Sequence, residues 1–186
     1  ILAVYSNTSS PGTTISIIEP SNTDNNGSKV IELTSPYSLL SLGGVSCVDE
    51  EGRFTIAVVG SSASSPSEIT SANYDGEKLI WEDAPLQRAS TLKIDPGYIS
   101  KPEVVEFPTN DDKTAFMYYY KPTNKDYKAQ EGETPPLLVK SHGGPTSAAS
   151  SSFNLGIQYF TSRGISVADI NYGGSTGFGR EYRERL

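Results

Sequence analysis

Five residues near the end of the chain match the spacing of a serine nucleophile. Gly173-Gly-Ser-Thr-Gly177 fits the pattern G-x-S-x-G between a strand-like and a helix-like segment, as a nucleophile elbow does. A serine nucleophile needs a histidine base within hydrogen-bond reach, and in this hydrolase class that histidine follows the serine. Only 11 residues follow Ser175 and none is His; the single histidine, His142, lies 33 residues upstream. We therefore reject Ser175 as a nucleophile and interpret the glycines as a mobile or tightly turning loop beyond a strand.

A second motif places a glycine pair at the end of another strand. Leu137–Ser141 is predicted to be a short buried strand, and His142, Gly143, Gly144 and Pro145 follow it. In esterase-type hydrolases an HGGG-like loop donates a backbone N–H to the oxyanion of the reaction. Pro145 has no N–H, so the donor would be Gly144 or Gly143. An ordinary strand-end turn is the alternative, and we expect His142 to support the loop rather than to act as a base.

The segments around this motif combine the hydrophobic periodicity of strands with that of a helix. Thr114–Tyr120 is predicted to be a strand, residues 153–163 an amphipathic helix that ends at Gly164, and residues 165–171 the next strand. Together with Leu137–Ser141 this order is strand, loop, helix, strand. Because such a crossover is right-handed and joins parallel strands, we expect a parallel pair within an α/β domain.

The first half of the chain has a different pattern, with short strands separated by turn clusters. A spacing of about 8–12 residues without a helix-period segment indicates a sandwich, barrel or propeller. A nearly continuous apolar strand at 54–60, a small-residue turn and a strand closing on Asp75-Gly76 are typical of a propeller blade, while a sandwich stays open. The predicted strands are 1–5, 14–18, 29–33, 45–48, 54–59, 68–74 and 78–81. The change of pattern predicts two domains with a boundary within residues 84–103.

Composition and charge exclude several classes. No apolar run approaches the roughly 20 residues that a membrane span needs, and Cys47 has no partner for a disulfide. Residues 1–99 carry 5 basic and 12 acidic side chains, whereas residues 100–186 carry 10 of each. No stretch is basic enough to neutralise a row of phosphates, so nucleic acid is not an expected partner. The chain opens as if within a strand and closes as if within a helix, so we expect a piece of a longer protein.

Several segments together resemble one enzyme family in their order and spacing. These are His-Gly-Gly-Pro at 142–145, Tyr-Phe-Thr-Ser-Arg-Gly at 159–164, and the strand and glycine loop at 165–180. They resemble the prolyl oligopeptidase family of serine peptidases, especially its acylaminoacyl-peptidase-like branch. Residues 98–108 are similar to the entry of that family's catalytic domain, and residues 61–70 to part of its final propeller blade. One departure is Gly173, where the family usually has Arg.

The resemblance implies a fold and a site. The fold would be a β-propeller followed by an α/β-hydrolase domain: residues 1–97 would form C-terminal blades, and residues 98–186 the N-terminal part of the peptidase domain. Gly144 matches the family's upstream oxyanion donor, with Gly143 as the second choice. His142 and Pro145 would support the loop. The catalytic Ser, Asp and His would all lie beyond Leu186, so the 186 residues alone should be inactive.

The expected parent enzyme hydrolyses short peptides in the cytoplasm, without cofactor or metal and without a nucleic-acid or membrane partner, and it could form a homo-oligomer. Two other classes stay open at this point. An HGGG-type carboxylesterase shares the oxyanion loop but lacks a propeller, and a non-catalytic propeller scaffold could have lost its serine. The sequence does not distinguish endopeptidase from exopeptidase action.

Overall fold

Strands dominate the computed structural model, which describes residues 1–6, 13–19, 29–144 and 146–186. Two of the turn clusters that separate the predicted strands, at 10–12 and 24–27, lie outside these residues, as does Pro145. A 3₁₀ turn, Pro96–Tyr98, precedes the second half of the chain. The described strands and α-helices are β1 Leu2–Ser6, β2 Thr13–Glu19, β3 Lys29–Leu33, β4 Leu39–Val45, β5 Phe54–Ser61, β6 Glu68–Tyr74, β7 Leu79–Trp81, β8 Gln87–Arg88, β9 Glu103–Pro108, β10 Thr114–Tyr120, β11 Leu137–Ser141, α1 Leu155–Thr161, β12 Ser166–Asn171 and α2 Arg180–Arg183.

The first half of the chain builds two antiparallel sheets on one core. The first has the order β1-β2-β3 and the second the order β4-β5-β6-β7, with β8 also pairing with β6. Alternation along β5 turns Ile56 and Val58 inward, where both are buried, as a strand with one solvent face requires. Ile15 of the first sheet belongs to the same buried cluster. The described part of this half contains no α-helix, as the sequence pattern predicts.

One strand of this half differs from the prediction. The predicted strand at 45–48 is wrong: β4 runs over Leu39–Val45, and residues 46–48 follow it as coil. The pairing of β4 with β5 shifts register between Leu42 and Gly44. Gly43 and Gly44 lie at this irregularity, where a locally bent strand accommodates glycine.

The second half forms a mixed sheet with the order β11-β12-β10-β9. The pairing of β11 with β12 is parallel and the other two pairings are antiparallel. Helix α1 connects the parallel strands and packs Ile157 against Val167 and Tyr120. The predicted strand–loop–helix–strand unit is therefore confirmed. The helix is shorter than predicted, because the Asn154 side chain accepts the N–H of Ile157 and so caps its first turn.

Strand β11 lies at the edge of this sheet, which contradicts its prediction as a buried strand. All five of its residues are exposed, including Val139 at 62% and Leu137 at 54%. Apolar composition cannot distinguish a central strand from an edge strand. The central position belongs to β12, five of whose six residues are buried.

An ion pair joins the edge strand to its buried neighbour. Lys140 of β11 is in register with Asp169 of β12, and its Nζ donates to Asp169 Oδ2 at 2.6 Å. Asp169 is 2% exposed, and its Oδ1 has no hydrogen-bond partner among the described residues. Burial, and then the charge of Asp169, raise the pKa of the nearby Tyr120 hydroxyl, which therefore stays protonated. The ammonium of Lys140 is thus the main compensation for a carboxylate that is costly to bury alone.

The exposed edge predicts self-association of the 186-residue chain. An unpaired, apolar strand offers its free N–H and C=O groups to another chain. We expect concentration-dependent association by light scattering, and a decrease in the Val139→Lys variant because a charge on the edge opposes strand addition. Val48→Lys is the matched control, since Val48 is 61% exposed but lies outside the strands. A monodisperse, cooperatively melting chain at high concentration would contradict this expectation.

The ion pair predicts unequal effects of two lysine substitutions. Lys140→Met leaves the Asp169 carboxylate buried without its cation, so we expect a loss of on the order of 1–3 kcal/mol in the free energy of unfolding. Lys121→Met is the control, because its pair with Glu103 is exposed on both sides and should change the melting temperature little. Thermal melting of both variants measures the difference, and equal losses would show that burial of Asp169 does not matter.

Candidate active-site loop

The parallel pairing of β11 and β12 brings the two sequence motifs to one edge of the sheet. Ser141, the last residue of β11, is opposite Ile170 near the end of β12. The segment that begins at His142 therefore emerges beside the segment that begins at Tyr172. Loops at the carboxyl ends of parallel strands carry the ligand and catalytic groups of open α/β sheets.

The glycine pair lies open to solvent in this loop. Gly143 and Gly144 are both exposed, and a Cβ added to either would meet nothing within 4 Å. Gly144 has φ +64°, a left-handed conformation that favours glycine. Neither N–H donates to an acceptor among the described residues. The predicted oxyanion donors are thus accessible backbone groups, while Pro145, their predicted neighbour, lies outside the description.

Tyr172 contacts both the ring and the backbone of His142. The two rings stack with centroids 4.5 Å apart and planes inclined by 20°. The Tyr172 hydroxyl donates to the His142 carbonyl oxygen at 3.0 Å, and the same hydroxyl oxygen lies 3.3 Å from Nδ1 of the histidine ring. Both the backbone and the side chain of the residue that precedes the glycine pair are therefore fixed by one tyrosine.

His142 also contacts the serine of the second motif. Its Nε2 lies 2.7 Å from the Oγ of Ser175. The sequence-based rejection of Ser175 rests on the expectation that no histidine lies within reach, and that expectation is wrong. The parallel pairing of β11 and β12 brings together two residues that are 33 positions apart in the sequence. Ser175 is nonetheless fully buried, and no carboxylate among the described residues bonds to the His142 ring. The contact lacks the substrate access and the third group of a catalytic triad.

A contact with Gly143 indicates the tautomer of His142. The Gly143 carbonyl oxygen, 3.2 Å from Nδ1, can only accept, so Nδ1 donates in that contact. In the neutral ring Nε2 is then an acceptor, and the Ser175 hydroxyl donates to it. The same direction occurs in a catalytic Ser–His pair, so the burial of Ser175 and the missing carboxylate are what decide against a nucleophile.

Backbone contacts hold the 172–176 turn. The N–H of Ser175 donates to the carbonyl of Tyr172 at 3.0 Å, and that of Thr176 to Ser147 at 2.9 Å. The N–H of Gly174 donates to the carbonyl of Tyr182 in α2 at 2.9 Å. Gly174 has φ +108° and approaches Leu186 so closely that a Cβ would lie 2.5 Å from that side chain. Of the two interpretations of the glycines, a mobile or a tightly turning loop, these contacts support the second.

A cation lies beside Gly173, the position where the resembled family usually has Arg. A Cβ added to Gly173 would lie 3.2 Å from the Cβ of Arg185. The Arg185 guanidinium stacks over Tyr182 at 4.5 Å and donates to the Thr114 carbonyl at 2.9 Å. The positive charge next to this turn therefore comes from α2 and its C-terminal flank, not from the turn itself.

Two further observations concern ligands. An open groove of about 1400 Å³ lies between the 121–136 loop and the end of α1, and neither the glycine pair nor Ser175 lines it. Within the described ranges, no group of three or more His, Cys, Asp or Glu side chains could hold a metal ion. Nor does any described helix have the length and apolar character needed to cross a membrane.

The fold and parts of the sequence are similar to known peptidases. A puromycin-hydrolyzing peptidase of Mycobacterium tuberculosis matches with a TM-score of 0.78 and 32% identity, over 95% of this chain and 25% of that one. Structures of prolyl endopeptidases share the fold alone, with a TM-score of 0.60 and 20% identity over 98% of this chain and 24% of theirs. No protein-family model matches the chain.

Two curated relatives agree with these structures. Dipeptidyl aminopeptidase BIII of Pseudoxanthomonas mexicana is 34% identical over 80 residues, which are 42% of this chain and 12% of the relative. The acylamino-acid-releasing enzyme of Arabidopsis thaliana is 39% identical over 57 residues, 31% of this chain and 8% of the relative. The chain thus spans about a quarter of the matched structures and a smaller part of the curated relatives. Together with the fold and the strand-end loop, these matches support the similarity of the chain to peptidases of the prolyl oligopeptidase family.

Proposed function

We propose that this chain is part of a longer serine peptidase that hydrolyses short peptides, and that its role there is to supply an oxyanion donor. One observation supports the proposal above the others: an exposed glycine pair follows a parallel edge strand, in a chain 32% identical to a peptidase over 95% of its length. The names of the relatives indicate small amide substrates, since they are a puromycin-hydrolyzing peptidase, a dipeptidyl aminopeptidase and an acylamino-acid-releasing enzyme.

In this proposal the two halves belong to different domains. Residues 1–97 contribute C-terminal blades of a β-propeller, for which the antiparallel order β4-β5-β6-β7 supplies the four strands of one blade. Residues 98–186 form the N-terminal part of an α/β-hydrolase domain. The change from purely antiparallel sheets to a mixed sheet with a helical crossover supports this division.

The glycine pair is the proposed oxyanion site. Acyl transfer passes through a tetrahedral intermediate whose oxyanion is stabilised by N–H groups that point at it before the reaction begins. Such donors must be unpaired, accessible and free of a Cβ that would keep the substrate carbonyl away. Gly144 and Gly143 meet these conditions, and we assign Gly144 as the donor and Gly143 as the second choice.

The nucleophile, its base and the orienting carboxylate are proposed to lie outside these 186 residues. Ser175 is fully buried, so its hydroxyl oxygen is not accessible to a peptide carbonyl. His142 in turn lacks a carboxylate partner in the described part of the chain. The arrangement can orient a loop, but it cannot present a serine oxygen to a peptide carbonyl.

Labelling with a serine-directed phosphonate tests this assignment. In the full-length peptidase we expect stoichiometric labelling of a serine outside residues 1–186, mapped by peptide mass spectrometry, together with hydrolysis of acylated or free-amino peptide anilides. The 186-residue chain should show neither reaction, because Ser175 is inaccessible. Labelling at Ser175 would overturn both the assignment of roles and the family-based mechanism.

The oxyanion role predicts a large effect of Gly144→Val in the full-length peptidase. A branched side chain beside the donor N–H, at a position with φ +64°, should disturb the approach of the substrate. Loss of one such donor lowers kcat by on the order of 10²–10³. Gly132→Val is the matched control, because Gly132 also has positive φ and open space but lies in the 121–136 loop. A similar fall in kcat in both variants would assign the effect to backbone strain.

His142→Ala separates the supporting role from a role as base. We expect it to lower kcat less than Gly144→Val does, and to leave both midpoints of the pH–rate profile in place. A base that is lost removes the acidic limb of that profile. Disappearance of the acidic limb in His142→Ala would make His142 the base, and the assignment of the glycine pair would then fail.

A further inference from the structure

We propose that Tyr172 and Ser175 are positioning residues that orient the glycine pair by holding His142 from the neighbouring strand end. The inference rests on the proposed oxyanion role of Gly143 and Gly144. It names the residues on which that role depends, neither of which touches the substrate. We refer to Tyr172, Ser175 and His142 as the clamp.

The first part of the clamp is the tyrosine. Tyr172 directly follows β12, a buried central strand, so its backbone is fixed by the sheet. Its hydroxyl donates to the His142 carbonyl, the group that belongs to the same peptide unit as the Gly143 N–H. Because a peptide unit is planar, fixing that carbonyl fixes the direction of the Gly143 N–H. The Gly143 carbonyl oxygen, which shares a peptide unit with the Gly144 N–H, lies 3.2 Å from Nδ1 of the His142 ring.

The second part is the buried serine. A buried hydroxyl without a partner is costly, and the described partner of the Ser175 hydroxyl is Nε2 of His142. The serine is itself held by the backbone contacts of the 172–176 turn. Ser175 is therefore fixed in place, and its hydrogen bond to Nε2 restricts the movement of the His142 ring. Tyr172 covers one face of that ring.

The precision that a backbone donor needs explains what the clamp contributes. Strand β12 pairs with β11, and the anchoring residue Tyr172 directly follows β12. The two glycines that follow His142 are exposed and have open space around them. Catalysis by a backbone donor requires positions accurate to a fraction of an ångström, and a misplacement of about 1 Å can cost 10²-fold in rate. The clamp transfers the rigidity of β12 to the donor.

The test uses Ser175→Ala and Tyr172→Phe in the full-length peptidase. Each removes one hydroxyl, and Tyr172→Phe keeps the ring that stacks on His142. We expect kcat to fall by on the order of 10-fold to 100-fold with KM changed by less than about threefold, because the lost orientation acts in the transition state. Hydrogen exchange of the peptide that covers residues 142–146, followed by mass spectrometry, should become faster in both variants.

Ser166→Ala is the matched control. Ser166 is a serine of β12 that is 1% exposed and whose hydroxyl contacts the Tyr119 hydroxyl at 2.9 Å, away from the glycine pair. It should lose comparable stability without faster exchange at 142–146 or a lower kcat. Fast exchange with kcat equal to that of Ser166→Ala would overturn the catalytic consequence of the clamp.

The exchange measurement separates the clamp from the proposed function. If the wild-type protein hydrolyses none of the peptide anilides, the proposed function fails, and hydrogen exchange in Ser175→Ala still decides whether the serine holds the loop. If exchange at 142–146 equals that of Ser166→Ala, the clamp is overturned whatever the activity. An active wild-type enzyme with unchanged exchange would leave the peptidase proposal standing and remove the positioning role.

Discussion

The parallel pairing of β11 with β12 is the constraint on which the rest of the site depends. It brings two segments that lie 33 residues apart in sequence to adjacent positions at one sheet edge. The helical crossover that the parallel arrangement requires is α1, and its packing on β12 supplies the smaller of the two buried cores. Without this register, His142 would have neither Tyr172 nor Ser175 beside it, and the glycine pair would follow an unsupported strand.

Strands β11 and β12 contribute different properties to the loop. Strand β12 is buried and central, so it tolerates little movement, and it carries the anchoring residues at its end. The glycine pair after β11 is exposed and has open space around it, so a ligand can approach its backbone. The ion pair between Lys140 and Asp169 joins the two strands two residues before His142, where the loop begins. Accessibility and rigidity are thus supplied by neighbouring strands instead of being combined in one.

Much of this arrangement follows from the sequence, and the exceptions have physical causes. The strands Thr114–Tyr120 and Leu137–Ser141 have the predicted bounds because their apolar runs are bordered by turn residues. The strand predicted at 45–48 is misplaced because glycine is depleted in strands, whereas here Gly43 and Gly44 lie within β4 at an irregularity of its pairing. The exposure of β11 cannot be read from its composition, since an apolar strand fits either place in a sheet.

The contact between His142 and Ser175 could have been found. Both motifs follow strands that the crossover rule already makes parallel, so their ends had to meet. The separation of 33 residues along the chain misleads, because the two strand ends are neighbours across the sheet. The burial of Ser175, which decides against a nucleophile, depends on side-chain packing that no residue spacing reveals.

The strand order of the mixed sheet also constrains when that sheet can form while the chain is being synthesised. The pairs β4–β5 and β5–β6 join neighbours in sequence, so they can close soon after they leave the ribosome. Strand β10, in contrast, is separated from its partner β12 by about 50 residues, including β11 and α1. When the nascent chain has emerged only as far as α1, β10 and β11 are present, but β12, the strand that pairs with both of them, is not. Among the described elements, β12 is the last strand to be made and the one that converts two separate edges into a continuous sheet.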